Sequence, residues 1–357
     1  MLGEGGSALI IVPGALISLI TSIALMPQVI RFSRRHKLFD PKDQRKIHTR
    51  EISRLGGVGM AGALVLGLVF LGMGAEEVRL WLLDPSVLPG VVGILLMWVV
   101  GLLDDLFFLR ARVKLLLQIF VASVVVLMGG YSIEAFIVPF WNIPVPFGMA
   151  GYLLSIFWIV SIVNAVNLID GMDGLAGSVV GMATLVLAVV SILEGDMTLA
   201  AFLFVLLGAI GGFLVFNFPP AKIFMGDGGS HFLGMSLAVA PFLFDGPSIT
   251  TLSLIPVILL LSVPIFDTIA AILRRTRKRI SIGEPDNEHI HHKLLALGLS
   301  SRKVLLTLVS YSSLMGAISL YWRLEGGFLG MFLALAGGVG GMILFFAVSA
   351  AYHRKVG

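Results

Sequence analysis

Apolar runs separated by short polar or Gly/Pro-rich stretches repeat along the whole chain, at 8–30, 56–74, 88–103, 114–130, 148–166, 175–193, 198–216, 230–244, 250–273, 304–322 and 328–350. Each approaches the roughly 20 residues a helix needs to cross hydrocarbon. The pattern predicts an all-α polytopic membrane protein of about 11 transmembrane helices. The two shortest runs, 88–103 and 230–244, are the weakest, so ten is the lower count. One connection reads differently: between 131 and 147, Pro139, Pro144 and Pro146 stand among β-branched residues and predict a short hairpin or amphipathic flap.

Composition agrees with the pattern. Of 357 residues 57% are hydrophobic and 13% charged, against roughly 25% charged in a soluble domain. Residues 1–357 are read as one integral membrane domain, because the spans leave only short connections. With no cysteine, a disulfide, a thiolate metal site and a thiol nucleophile are all excluded.

The net charge is only +4, but its placement is informative. The alternate connections 31–55, 104–114, 217–229 and 274–303, with the tail 351–357, hold 23 of the 25 Lys and Arg; Arg79 and Arg323 lie in the opposite connections. By the positive-inside rule the amino terminus is expected outside and the carboxyl terminus inside. The first run carries Glu4 and no basic leader, so it is read as a span rather than a cleaved signal.

The informative acids lie on the basic side. Asp104 and Asp105 end the third run; Asn164, Asn167, Asp170 and Asp173 fall in NAVNLIDGMDGLAG; Asn217 and Asp227 fall in NFPPAKIFMGDGGS; Asp267 sits in VPIFDT near the inner end of the ninth run. Carboxylates at the edge of hydrocarbon are costly and suggest function. Asn164, Asn167, Asp170 and Asp173 are spaced by three, so on a helix successive pairs would be neighbours and would need a cation or donors between them. Oxygen-only donors favour a hard divalent ion, Mg2+ with Mn2+ as the alternative. In FMGDGGS the glycines flanking Asp227 would let backbone N–H groups approach an anion while the carboxylate holds the ion. The basic run 274–279 leads to His289, His291 and His292, whose spacing is unlike a helical zinc pair and suits donors to phosphate or sugar oxygens.

These five ordered stretches, RKIHTREISRLGG (45–57), DD (104–105), NAVNLIDGMDGLAG (164–177), NFPPAKIFMGDGGS (217–230) and HIHH (289–292), resemble the polyprenyl-phosphate N-acetylhexosamine-1-phosphate transferases. The final motif, with an aliphatic residue between histidines, is similar to the undecaprenyl-phosphate N-acetylglucosamine-1-phosphate transferases of O-antigen, teichoic acid and related glycans. The members that use UDP-MurNAc-pentapeptide instead carry three consecutive histidines.

The resemblance implies transfer of a sugar-1-phosphate from a UDP-sugar donor to undecaprenyl phosphate, with release of UMP and a requirement for Mg2+. It implies a multi-pass protein of the bacterial inner membrane among membrane lipids, with its site facing the cytoplasm, no nucleic-acid partner and a homodimer as in many relatives. Carried over by motif, Asp227 and Asn167 would be metal ligands, with Asp170 near the metal and Asp173 in the same catalytic segment. Asp104 and Asp105 would lie at the lipid phosphate. Asn217 and Phe224 would contact uridine, and His289, His291, His292 and Arg279 the sugar or diphosphate. Lys46, His48, Arg54, Lys114 and Asn164 would bind lipid or nucleotide groups. A single displacement is expected, with Asp104 or Asp105 taking any proton; a covalent aspartyl-phosphate is the alternative. Another UDP-HexNAc is the nearest alternative donor. A cation-coupled transporter using the same acids is the competing class, though the acids sit at one edge rather than at mid-membrane.

Overall fold

A computed structural model describes residues 3–39, 52–138, 141–279 and 288–356. In chain order the elements are α1 (Gly3–His36), α2 (Gly56–Gly74), α3 (Glu76–Leu82), α4 (Leu88–Phe107), α5 (Ala111–Gly129), β1 (Ser132–Val138), β2 (Ile143–Pro146), α6 (Ala150–Ile169), α7 (Leu175–Glu194) and α8 (Met197–Asn217). There follow α9 (Gly226–Asp245), β3 (Ser248–Thr250), α10 (Thr251–Leu260), α11 (Ser262–Lys278), α12 (Ile290–Ala296), α13 (Ser301–Glu325) and α14 (Gly327–Val356).

All eleven apolar runs are helical. Among the described residues nine helices are long and apolar enough to cross a membrane: α1 from Ile11, α2, α4 to α8, α13 and α14. The run 250–273 is not one straight span. It is α10 and α11 meeting at 91°, and counting that bent pair gives up to ten. Pro264 accounts for the break, since its ring opposes the carbonyl of the residue four earlier, Leu260, the last of α10.

The run 230–244 is α9, which at 20 residues is about 30 Å long yet is not apolar enough to qualify by composition. Sixteen of its residues are buried, packed by α2, α4, α6, α7 and α10. A helix enclosed by other helices need not match lipid.

Enclosure demands close approach. A Cβ on Gly101 of α4 would lie 2.6 Å from the Gly228 nitrogen, and one on Gly234 of α9 would lie 2.7 Å from Val163 Cα. Helix ends follow local chemistry: Phe108 adopts φ 53 after α4, Gly130 φ 66 after α5, and Gly174 φ 75 before α7.

The predicted hairpin is present as β1 and β2, antiparallel with Phe136 opposite Val145. β3 adds in parallel, giving the order β2-β1-β3. This small sheet caps one end of the bundle. At the opposite end lie the carboxyl ends of α1, α4, α6, α8 and α14 and the amino ends of α2, α5, α7 and α9. The amino end of α1 and the carboxyl end of α14 therefore lie at opposite ends of the bundle.

Candidate active site

Three helix termini bring the charges together. Lys114, in the first turn of α5, places Nζ 3.0 Å from Asp104 Oδ2 at the end of α4 and also pairs with Asp227 Oδ2 in the first turn of α9. Asp227 Oδ1 accepts from Asn167 Nδ2 of α6 at 3.0 Å, and the same amide reaches Ser230 Oγ at 2.8 Å. Asp104 Oδ1 accepts the Leu109 N–H at 2.7 Å, which fixes the turn between α4 and α5.

The paired aspartates have separate tasks. Asp105 is buried, and its two oxygens accept the N–H groups of Asp227 at 3.0 Å and Gly228 at 2.8 Å. It thus caps α9 from a neighbouring helix. The anion at the FMGDGGS amides is therefore this carboxylate. Arg54 lies 3.7 Å from Asp105 Oδ1, donates to the Asp105 carbonyl and stacks over the Phe108 ring at 4.2 Å.

The four-residue cluster expected from Asn164 to Asp173 does not converge. Helix α6 ends at Ile169, with Asp170 in the cap position. Asn164 turns one helical turn inward to Gln118 Oε1, 2.8 Å away. Asp173 accepts the Ala221 N–H at 2.9 Å and holds the loop after α8. Asn217 is buried and spans two backbones, accepting from the Gly174 N–H at 2.9 Å and donating to the Ile223 carbonyl at 2.8 Å. Its amide thus fastens the start of α7 to the loop before α9. Phe224 is half-buried; its backbone pairs with Ser53 and Gly56, tying 53–57 to the loop before α9.

The histidine motif is also split. His289 Nδ1 lies 2.8 Å from Asp267 Oδ2, and Asp267 Oδ1 accepts the Ile290 N–H at 2.9 Å. Asp267 is thereby the anchor of α12. His291 is 1% exposed, and neither ring nitrogen has a hydrogen-bond partner among the described residues. Its Nε2 faces Gly171, where a Cβ would lie 2.6 Å away. Burial, helped by the neighbouring His292, holds its pKa down at about 3. His292 packs against it with ring centroids 4.2 Å apart. Glu288 pairs with Lys278 at 2.7 Å, which keeps its carboxyl below the usual range. Arg279 is exposed at the end of α11 with φ 55. Lys46 and His48 lie outside the described residues.

Sequence reasoning missed Gln118, Ser230 and His231. The available signal was spacing: Gln118 follows Lys114 by four and His231 follows Asp227 by four, polar residues on the same helical stripe inside apolar runs.

Among the described residues no three His, Asp or Glu side chains form a metal-holding group. The oxygen donors that do converge are the carboxylates of Asp104 and Asp227; Asn167 turns its Nδ2 to Asp227 and Ser230 and would offer its Oδ1 to a cation after rotation of the amide. That set suits Mg2+, which commonly takes one or two carboxylates together with substrate phosphates.

Residues 87–244 match the family model described as glycosyl transferase family 4. The chain is 36% identical over 300 residues to a probable undecaprenyl-phosphate N-acetylglucosaminyl 1-phosphate transferase of Bacillus subtilis, covering 84% of this chain and 81% of that protein. A decaprenyl-phosphate N-acetylglucosaminephosphotransferase of Mycobacterium tuberculosis is 35% identical over 323 residues, covering 82% and 77%. The undecaprenyl-phosphate alpha-N-acetylglucosaminyl 1-phosphate transferase of Escherichia coli K12 is 25% identical over 287 residues, covering 79% and 75%.

Proposed function

The chain belongs to the polyprenyl-phosphate N-acetylhexosamine-1-phosphate transferase family, and from that premise we propose that it transfers N-acetylglucosamine-1-phosphate from UDP-GlcNAc to undecaprenyl phosphate, releasing UMP. The product is a lipid-linked sugar on which cell-envelope glycans are built. The observation that carries this reading is the ammonium of Lys114 set between Asp104 and Asp227 beside Asn167, with Arg54 on the adjoining Asp105.

Charge explains why such a site suits two phosphates. Asp104, Asp105 and Asp227 face Arg54 and Lys114, three carboxylates against two cations. The cluster is one negative charge in excess, so it calls for a cation before it can accept anionic substrates. Asp227 and Asn167 would hold Mg2+, which when bound neutralises charge on the diphosphate and on departing UMP. The acceptor is already a competent nucleophile, since a phosphate monoester loses its second proton near pH 6. Asp104, which touches Lys114 and lies at the mouth of the turn, takes any remaining proton. Asp105 keeps Asp227 in place. Lys114 bridges the two acids, offsets their mutual repulsion and supplies positive charge to the transferring phosphoryl group.

The site end carries almost all of the basic residues, so it faces the cytoplasm of a bacterial inner membrane, with the sheet outside. Single cysteines in this cysteine-free chain, Trp141→Cys and Arg354→Cys, should label from opposite sides with an impermeant reagent. The reaction is tested in detergent with a donor panel. UMP release from UDP-GlcNAc should require both undecaprenyl phosphate and Mg2+. No release from any UDP-sugar by folded protein refutes the assignment, and faster release from UDP-GalNAc would reassign the donor.

A further inference from the structure

Below the charged site lies a second polar layer on the same three helices. Each member stands one helical turn deeper than a site residue: Gln118 below Lys114 on α5, Asn164 below Asn167 on α6, and His231 below Asp227 on α9. Gln118 and His231 are fully buried. The three join in one directed chain. Asn164 Nδ2 donates to Gln118 Oε1 at 2.8 Å and to the Val160 carbonyl at 2.8 Å, and Gln118 Nε2 donates to His231 Nε2 at 3.0 Å. With Gln118 Oε1 already accepting from Asn164, its amide nitrogen is the end that faces the imidazole. His231 Nε2 is therefore assigned as the acceptor, with the ring proton on Nδ1, which is buried and has no hydrogen-bond partner among the described residues.

We propose that Asn164, Gln118 and His231 form a positioning tier that sets the spacing of α5, α6 and α9 and thereby holds Asn167 and Asp227 at the separation a divalent cation needs. The inference rests on the transferase reading of the tier above. Asn167 on α6 is neutral and meets Asp227 on α9 through one hydrogen bond that a cation between them would break, so the hydrogen-bonded chain one turn below is what keeps the two helices at a fixed distance. Buried polar chains do so well, because breaking one link strands a donor where no water can replace its partner. The geometry is economical: a helical turn is about 5.4 Å, so a shift in the tier is passed to the site through a single rigid turn. Asn164, grouped by its motif with the substrate ligands, is reassigned to this supporting role. His231 and Gln118 acquire one.

The test uses the full chain in detergent and reads Mn2+ binding by electron paramagnetic resonance, without substrate, beside UMP release. His231→Leu removes the acceptor at similar bulk. It should weaken Mn2+ binding about tenfold, the lower end for losing a group that orients a metal ligand, and raise the Mg2+ concentration for half-maximal UMP release by the same factor. The KM for undecaprenyl phosphate should be unchanged. His231→Gln, which restores an acceptor, should recover most of the affinity. If His231→Leu fails to fold, Asn164→Ala breaks the other end of the chain and should give the same cation-specific loss. Wild-type Mn2+ affinity in His231→Leu overturns the proposal. So does equal impairment of the Leu and Gln variants in step with lost thermal stability. A wild-type chain that releases UMP but binds no Mn2+ removes the tier's purpose, whereas one that releases no UMP from any donor refutes the functional reading itself.

Discussion

Replacing Asp105 separates its supporting role from a chemical one. Its carboxylate accepts the Asp227 and Gly228 N–H groups at 3.0 and 2.8 Å and lies 3.7 Å from Arg54. Asp105→Ala strands two buried donors at the start of α9 and leaves Arg54 without its counter-charge. A stranded buried donor costs about 1–3 kcal/mol, and the lost cap is these same two donors, so a loss of about 2–6 kcal/mol is expected. At an unfolding entropy of about 2.1 cal/mol/K per residue over 357 residues, that lowers Tm by roughly 3–8 °C, measurable from tryptophan fluorescence in detergent. Asp227 moves with its helix start, and a misplacement of about 1 Å costs about 100-fold in rate. Asp105→Asn keeps one acceptor but turns an NH2 toward the other donor, so it should lose roughly half as much stability and keep measurable UMP release. Were Asp105 the proton acceptor, Asp105→Asn would abolish turnover while leaving Tm unchanged. That result, or a wild-type Tm in Asp105→Ala, refutes the capping argument.

Three further outcomes follow from the packing and the charges. Gly101→Ala drives a methyl to within 2.6 Å of the Gly228 nitrogen, so α4 and α9 must part; overpacking of this kind costs about 1–3 kcal/mol, and both Tm and UMP release should fall, whereas unchanged values would mean the crossing is looser than the structure has it. His291 is held neutral, with a pKa of about 3 against roughly 6.5 when unfolded. Below about pH 6.5 the unfolded chain binds a proton that the folded chain refuses, so stability present above that pH is lost as pH falls toward 3; His291→Gln should flatten Tm against pH between 6.5 and 4.5, and an unaltered slope would exclude this histidine as its cause. At the far end, Arg323 meets Glu194 at 2.5 and 2.9 Å and Asp245 at 2.7 Å and lies over Phe244, joining α13, α7 and α9. Arg323→Ala should lower Tm by a few degrees and leave UMP release at moderate temperature intact; a loss of catalysis without a loss of stability would contradict a purely structural clamp.

The apolar helices, and the end of the bundle at which the basic connections gather, were legible because lipid imposes such a pattern locally: about 20 apolar residues, then charge. The hairpin was legible for the same reason, from prolines beside β-branched residues. Partnership was not. Asp104 and Asp105 are adjacent, but on a helix they point about 100° apart, and which one meets α9 is decided by a residue 122 positions away. The spacing of three from Asn164 to Asp173 holds together only while the helix continues. Once α6 stops at Ile169, the side chains of Asn164, Asn167 and Asp173 go to α5, α9 and the loop after α8, and the spacing no longer groups them. The break between α10 and α11 had a readable cause in Pro264, but its 91° angle belongs to the packing of α11 against α6, α13 and α14, where Asp267 meets His289 and the Ile290 N–H.

The helix that misses the span criterion is the one that matters most to the chemistry. Lipid taxes every polar residue on an exposed face, so a helix in contact with it is confined to apolar composition. Surrounded by protein, α9 is released from that constraint and can carry Asp227 and Ser230 at one end, His231 and Ser236 within, and Asp245 paired to Arg323 at the other. The same enclosure works in the opposite direction on size. Neighbours close enough to cap, hydrogen-bond and clamp α9 leave no room for side chains at the crossings, which is where Gly57, Gly101, Gly229 and Gly234 stand. Reduced hydrophobicity and small crossing residues are thus two consequences of one placement. An apolar run that is weak by membrane standards and bordered by glycine-lined partners marks the buried helix on which this site is built.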